Sequence, residues 1–214
     1  MPPNNFPDAL LMAKTTEFGP CCNDDEYRFL WNTIMDLDHQ DGDGCLIEIG
    51  AHCGSSTSII ASAGALRGWL TLVFDPWCTY GQPGIDEDIR IEKWIKTKLF
   101  LNSWIDHGRK CGTYPGWTIP ILGDSVRNGS VLSNLGMKRA NMVFIDGGHI
   151  YPQPLLDIET FSPILRIGGI MIIHDMPRED IVRSINDGID PGMWTTIRGN
   201  TDQLRLMAFR KDRE

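Results

Sequence analysis

A chain of 214 residues with 42% hydrophobic residues is long enough to bury one substantial core. Its net charge of −8 disfavours a nucleic-acid or anionic membrane surface, because both bind to an excess of lysine and arginine. The first residues lack the pattern of a signal peptide, and no apolar stretch approaches the roughly 20 residues of a membrane span. We therefore expect a cytoplasmic protein that binds neither nucleic acid nor membrane.

The N-terminal part of the chain, residues 1–44, has helical character. The sequence NDDEYRFLWNTIMDLD predicts a helix over residues 23–38, with Asn23 as its N-cap and acidic residues in its first turn. We interpret residues 1–44 as a helical cap that either covers a cofactor or packs in a homodimer. The adjacent Cys21 and Cys22 precede this helix in a predicted loop, and the sequence suggests no function for them.

From Cys45 onwards, short apolar runs alternate with helical segments. The predicted strands are CLIEIG, LTLVFD, WTIPILGD, NMVFIDGG and GIMIIHDM, and the predicted helices cover residues 55–66, 86–107, 125–136, 152–168 and 180–186. Unbroken apolar strands between helices are typical of a parallel sheet covered on both faces. MWTTIRG and LRLMAFRK then predict an antiparallel hairpin at one edge. We expect an α/β fold: a doubly wound, mostly parallel seven-stranded sheet in a domain over residues 45–214.

The apolar runs end in polar clusters. In a sheet of this kind, ligands bind at the carboxyl ends of the strands. The residues at these ends are Glu48 with Gly50, Asp75, Asp124 with Ser125, Asp146, and His174 with Asp175. So many carboxylates at the same end of the strands predict a site.

The turn after the first strand reads EIGAHCGSST. Gly50 permits a tight turn, and Gly54 lets the backbone approach a ligand where a side chain would clash. Ser55 and Ser56 open a helix whose N–H groups favour an anion. The G-x-G-x-x-G pattern of dinucleotide binders is missing, so the turn suits one carboxylate better than a pyrophosphate. A glycine-rich turn without a ligand is the alternative.

EIGAHCGSST resembles motif I of class I S-adenosylmethionine-dependent methyltransferases, and within them the catechol O-methyltransferase type. MVFIDGGH resembles the metal-binding strand of that type, and GGIMIIHDM resembles the strand that follows. The pattern IDGGHIY…HD is also similar to bacterial small-molecule and sugar O-methyltransferases. The resemblance covers about residues 45–176 and implies a Rossmann-like fold with S-adenosylmethionine as cofactor.

The resemblance implies cofactor contacts at the first turn and at the next two strand ends, namely Glu48, Gly50, Gly54, Ser56, Asp75, Asp124 and Ser125. Ser56 would hold the methionine carboxylate, and Asp75 would accept hydrogen bonds from both ribose hydroxyls. Asp124 would contact adenine, with capping of the next helix as its alternative role. Trp77 either stacks on adenine, lines the acceptor pocket or serves packing alone.

By the same resemblance, Asp146, His174 and Asp175 would bind a divalent metal, Mg²⁺ or Mn²⁺ or a softer ion. The catechol-type enzymes have an acid where this chain has His174, and a histidine shifts preference away from Mg²⁺. His174 would otherwise turn away and leave two carboxylates as ligands. A bound ion would lower the pKa of the substrate hydroxyl.

Two catalytic residues follow from the resemblance, His149 and Asp146. His149 stands where the catechol-type enzymes place a lysine, and an imidazole is a suitable base at neutral pH. Its alternative role is that of a loop histidine bound to backbone. His39 and His107 are expected at solvated helix ends.

The leading hypothesis is a metal-assisted O-methyltransferase acting on a small hydroxylated acceptor, either aromatic or sugar-containing. The alternatives are a metal-free methyltransferase that uses His149 as base, a nicotinamide-dependent oxidoreductase, and an inactive cofactor-binding module.

Overall fold

The computed structural model describes residues 3–16, 19–38, 44–77, 102–110, 118–137, 139–198 and 204–214. Its helices are α1 (Phe6–Lys14), α2 (Asp24–Asp36), α3 (Ser55–Leu66), α4 (102–110), α5 (Ser125–Asn134), α6 (Gln153–Phe161) and α7 (Glu179–Gly188). Its strands are β1 (Cys45–Ile49), β2 (Leu70–Asp75), β3 (Thr118–Leu122), β4 (Ala140–Ile145), β5 (Leu165–His174), β6 (Trp194–Arg198) and β7 (Leu206–Lys211).

The strands form one seven-stranded sheet in the order β3-β2-β1-β4-β5-β7-β6. All neighbours from β3 to β5 are parallel, and β7 runs antiparallel to both β5 and β6. The predicted fold class, including the antiparallel C-terminal hairpin, is therefore confirmed. The strand order reverses between β1 and β4: β2 and β3 lie to one side of β1, and β4 and β5 lie to the other. In such sheets, ligands bind in the crevice at the carboxyl ends of the strands at this switch point.

Helices cover both faces of the sheet because its central strands are apolar on both sides. On one face, residues such as Tyr27 and Ile34 of α2 share a hydrophobic cluster with Leu46 of β1 and Ile60 of α3. On the other face, α6 and α7 pack against the opposite side chains of β1, β4 and β5. The N-terminal helices therefore belong to the core of the same compact domain, while a covering role for residues 1–44 stays a prediction.

Helix α2 begins as the sequence predicts. The side chain of Asn23 accepts hydrogen bonds from the N–H groups of Asp25 and Glu26, and the Glu26 carboxylate accepts one from the Asn23 N–H at 2.8 Å. This reciprocal arrangement is a capping box. It fixes the position of Glu26, which also reaches the site described below.

The predicted helix over residues 152–168 is too long. Helix α6 ends at Phe161, and β5 begins at Leu165, which pairs with Ala140 of β4. Pro163 lacks the N–H that would extend the helix, so the chain turns and enters the sheet. Of the predicted helix 86–107, residues 102–107 are helical and the others lie outside the described residues. No helix in the described ranges is long and apolar enough to cross a membrane.

Candidate active site

A cavity of about 540 Å³ lies at the carboxyl ends of β1, β2, β4 and β5. Its volume is in the range of small-molecule pockets. It is lined by Cys21, Ile49, Gly50, His52, Phe74, Asp75, Pro76, Asp124, Ser125, Asp146, Gly147, Gly148, His149, Gln153, His174 and Asp175. Most of the predicted site residues are therefore brought together around one cavity.

Gly50 follows β1 directly and lies beside Asp146, the residue that follows β4. Its φ is +91°, and a Cβ on it would lie 2.2 Å from the carbonyl oxygen of Asp146. The Gly50 N–H donates to the carbonyl of Phe74, and the Asp146 N–H donates to the carbonyl of Ile49, each at 2.8 Å. A side chain at residue 50 would push these strand ends apart, so glycine is required by conformation and by space.

The carboxylate of Asp75 is held by two backbone donors. Its oxygens accept the N–H of His52 at 2.8 Å and that of Trp77 at 2.5 Å. His52 and Trp77 both have a positive φ, +49° and +39°. Residues other than glycine rarely adopt this backbone conformation, and it recurs at functional sites. Burial raises the pKa of Asp75 despite these hydrogen bonds. The Trp77 ring packs on Trp104 at 4.8 Å between centroids, and so has a packing role.

Three predicted cofactor residues do not line the cavity. Glu48 is fully buried beneath it and accepts hydrogen bonds from Ser56 at 2.5 Å and Thr57 at 2.6 Å. Burial raises the pKa of Glu48 to about 8. Gly54 is the N-cap of α3 with φ +88°, and a Cβ there would lie 3.1 Å from the Trp104 ring. The contacts of Glu48 with Ser56 and Thr57 therefore join the end of β1 to the start of α3.

Asp124 and Ser125 line the opposite wall. Asp124 Oδ1 accepts the Arg127 N–H at 2.7 Å, so the helix-capping role proposed as its alternative is present, and the residue still borders the cavity. The Ser125 hydroxyl donates to Asp157 Oδ1 at 2.5 Å. Burial raises the pKa of Asp157 to about 6, and its Oδ2 has no hydrogen-bond partner among the described residues. Asp157 lies within the apolar pattern of α6, so the sequence alone does not indicate its place beside Ser125.

Asp146, His149 and Asp175 converge at the cavity. One ligand atom from each lies within 4.8 Å of the others, because β4 and β5 are adjacent parallel strands. His149 Nε2 is 2.8 Å from Asp175 Oδ2 and 3.7 Å from Asp146 Oδ1, and neither contact is aligned as a hydrogen bond. The carboxylates of Asp146 and Asp175 raise the pKa of His149 to about 9, so this imidazole carries a proton at neutral pH.

His174 contacts the same two aspartates and, in addition, the carboxylate of Glu26. Its Nδ1 is 3.0 Å from Asp146 Oδ1, and its Nε2 is 3.3 Å from Glu26 Oε1. Burial lowers its pKa, but Asp146 and Glu26 outweigh that effect and raise it to about 10. His174 also lines the cavity, and its Nδ1 is 3.6 Å from Asp175 Oδ1, so both His149 and His174 contact the two aspartates.

Glu26 contacts the site although its position in the sequence does not indicate this. Its side chain is fully buried, and it accepts the Arg205 N–H at 2.7 Å in addition to the Asn23 N–H. Burial raises its pKa, but the contacts with His174 and the two N–H groups prevail and lower it to about 2. The capping-box pattern of the sequence explains an acid at this helical position. It does not indicate that the acid also contacts His174 at the end of β5.

The expectation of a solvated His107 is wrong. This side chain is 5% exposed, and its Nε2 lies 2.6 Å from the hydroxyl of Ser58 on α3. Burial lowers the pKa of His107 to about 4, so it is neutral in the folded protein. His39 lies outside the described residues.

A family model described as a methyltransferase domain matches residues 47–176. Solved structures of similar fold include CalS11, a TDP-rhamnose 3'-O-methyltransferase of calicheamicin biosynthesis, at 13% identity and a TM-score of 0.58, covering 86% of this chain and 77% of that one. The O-methyltransferase NovP matches at 16% identity and 0.62, covering 87% and 79%. A structural-genomics protein from Corynebacterium glutamicum matches at 18% identity and 0.63, covering 96% and 90%. At these identities, the structural likeness establishes the fold.

Proposed function

The chain belongs to the methyltransferase-domain family, and we propose that it transfers the methyl group of S-adenosylmethionine to a hydroxyl of a small molecule with the help of a divalent cation. One observation carries the proposal: Asp146, His149 and Asp175 converge at the cavity that Gly50 and Asp75 shape. The family match favours methyl transfer over the nicotinamide-dependent alternative.

Residues on the β1 and β2 side of the cavity suit the cofactor. Asp75 is fixed by two backbone donors, and each carboxylate oxygen retains a lone pair for a ribose hydroxyl. Gly54 contributes no side chain to cap α3, so the first N–H groups of that helix can donate hydrogen bonds to the methionine carboxylate. Bound S-adenosylmethionine supplies an activated methyl group, and the protein then provides alignment.

Residues on the β4 and β5 side suit a cation. Atoms of Asp146, Asp175 and His149 lie within 4.8 Å of one another, and the buried Nε2 of His149 lacks an aligned hydrogen bond. Such a group can replace the contacts among its members by contacts with a metal ion. Asp146 and Asp175 would hold Mg²⁺ or Mn²⁺, and His174 would keep Asp146 oriented. A cation there would lower the pKa of the acceptor hydroxyl and position its oxygen. We assign His149, 34% exposed at its side chain, to removal of the hydroxyl proton.

A metal-free methyltransferase with His149 as base is the second candidate. In its favour, His149 and Asp175 already form an ion pair at 2.8 Å. Against it, an imidazole between two carboxylates keeps its proton at neutral pH and so is a poor base. A cation that neutralises Asp146 and Asp175 would remove this obstacle.

A sugar-containing or aromatic acceptor fits the proposal. CalS11 is described as acting on a sugar nucleotide, and the cavity here is of a size for a compact ligand. Screening hydroxylated aromatics and nucleotide sugars with labelled S-adenosylmethionine would identify the acceptor class.

Calorimetric titration with S-adenosylhomocysteine tests the cofactor assignment. We expect a one-to-one isotherm that Asp75→Ala weakens. Absence of heat and of thermal stabilisation would contradict the cofactor assignment and reduce EIGAHCGSST to a turn without a ligand. The metal assignment is tested by activity before and after EDTA, with Mg²⁺ or Mn²⁺ added back. Activity that survives EDTA would favour the metal-free enzyme.

A further inference from the structure

The adjacent cysteines between α1 and α2 lie at the edge of the active-site cavity. Cys21 is half-buried and lines the cavity, whereas Cys22 is buried. Tyr27 of α2 fixes the pair: its hydroxyl lies 3.8 Å from Cys21 Sγ and accepts the Cys22 N–H at 3.2 Å. The same hydroxyl contacts Ser55 at the start of α3. The two thiols are therefore held by the packing of α2 on α3.

The separation of the two sulfur atoms suits a shared metal ion. Their Sγ–Sγ distance is 4.0 Å. Two thiolates on a tetrahedral zinc ion, with zinc–sulfur bonds of about 2.3 Å, lie about 3.8 Å apart. A disulfide would require about 2.05 Å. The observed distance thus needs only a small contraction to bind a metal, but a large one to form a disulfide.

A third ligand lies beside the sulfur atoms. One oxygen of Asp146 and the two sulfur atoms lie within 4.8 Å of one another. We propose that Cys21, Cys22 and Asp146 form a second metal site that binds one soft, thiophilic divalent cation such as Zn²⁺ or Cd²⁺. This site differs from the one proposed for methyl transfer because thiolates select soft ions, whereas the carboxylate pair of Asp146 and Asp175 suits Mg²⁺ and Mn²⁺.

Binding at this site exchanges protons for metal and involves no electron transfer. Two S–H bonds break, two metal–sulfur bonds form, and two protons pass to solvent. Asp146 is common to both sites, so a soft ion bound to the cysteines takes a carboxylate that methyl transfer needs. We expect Cd²⁺ to inhibit the enzyme for this reason.

Titration of the reduced, metal-free protein with Cd²⁺ tests the proposal through the ultraviolet thiolate-to-cadmium charge-transfer band. We expect the band to saturate at one equivalent and to be lost in the Cys21→Ser/Cys22→Ser variant. Cys45→Ala and Cys53→Ala are matched controls, because they remove buried thiols elsewhere and should keep the band. Asp146→Asn should keep the band but weaken Cd²⁺ affinity by about ten- to hundredfold.

A second measurement needs no variant. Alkylation of the wild-type protein followed by peptide mass spectrometry should show that one equivalent of Cd²⁺ protects Cys21, while Cys45 is unchanged. A band that persists in the double variant, a Cys21 that stays reactive with Cd²⁺, or recovery of the pair as a disulfide would each overturn the proposal. The band depends on thiolates alone, so failure of the methyl-transfer proposal would leave this result intact.

Discussion

Substitution of Gly50 by alanine tests the geometry on which the cavity depends. Alanine at a φ of +91° bears the strain of a left-handed conformation, which costs about 1–2 kcal/mol. Its Cβ would also lie 2.2 Å from the Asp146 carbonyl oxygen, and it can relieve this contact only by moving β1 from β4. Overpacking of this kind adds about 1–3 kcal/mol. We expect a total loss of about 2–5 kcal/mol from the free energy of unfolding.

Gly68→Ala is the matched control. Gly68 also has a positive φ, +73°, but a Cβ on it would meet nothing within 4 Å. This variant should lose only the conformational part of the cost and bind S-adenosylhomocysteine like the wild type. Urea unfolding gives the two free energies, and calorimetry gives the two affinities. Equal losses of stability in both variants, with unchanged ligand affinity in Gly50→Ala, would refute the close approach of β1 and β4.

Three further predictions concern single side chains. Asp75→Asn should weaken S-adenosylhomocysteine binding about ten- to hundredfold, the contribution of a hydrogen bond to a charged group, as measured by calorimetry; unchanged affinity would exclude Asp75 as a ribose ligand. His149→Gln should lower kcat about hundredfold or more yet change Mn²⁺ affinity less than Asp146→Asn does, and the reverse order would make His149 a ligand and not the base. Because the folded-state pKa of His107 is about 4 and its ordinary value is 6.5, the unfolded chain binds the proton first as the pH falls. This contribution to the free energy of unfolding is therefore fully present only well above pH 6.5, and about 2 kcal/mol of it is lost between pH 7 and pH 5. The urea midpoint should depend less on pH in His107→Asn than in the wild type. An equal dependence would contradict a buried neutral imidazole.

The order of strands and helices was predictable because it depends on local patterns. Apolar runs such as LTLVFD and NMVFIDGG have the length and composition of buried parallel strands. The carboxyl ends of parallel strands share one edge of a sheet, so the meeting of Asp75, Asp146 and Asp175 at one cavity followed from topology alone.

The orientation of several side chains was not predictable. Strand β1 is buried on both faces, so alternation along it does not tell whether Glu48 points at the cavity or beneath it. A turn rich in hydroxyl groups likewise does not reveal that Ser56 and Thr57 turn towards Glu48. His107 looks solvated in the sequence because its partner, Ser58, is distant along the chain.

Glu26 connects these levels of structure. Its carboxylate completes the N-terminal cap of α2, contacts His174 at the end of β5, and accepts the N–H of Arg205 just before β7. His174 in turn contacts Asp146, so two charged contacts, Glu26–His174 and His174–Asp146, join α2 to the proposed cation site. Removal of one partner from a buried ion pair leaves the other charge uncompensated, which destabilises strongly. Helix α2 therefore supports the site from within the domain core. Loss of the Glu26–His174 contact should loosen α2 and the side chain of Asp146 together.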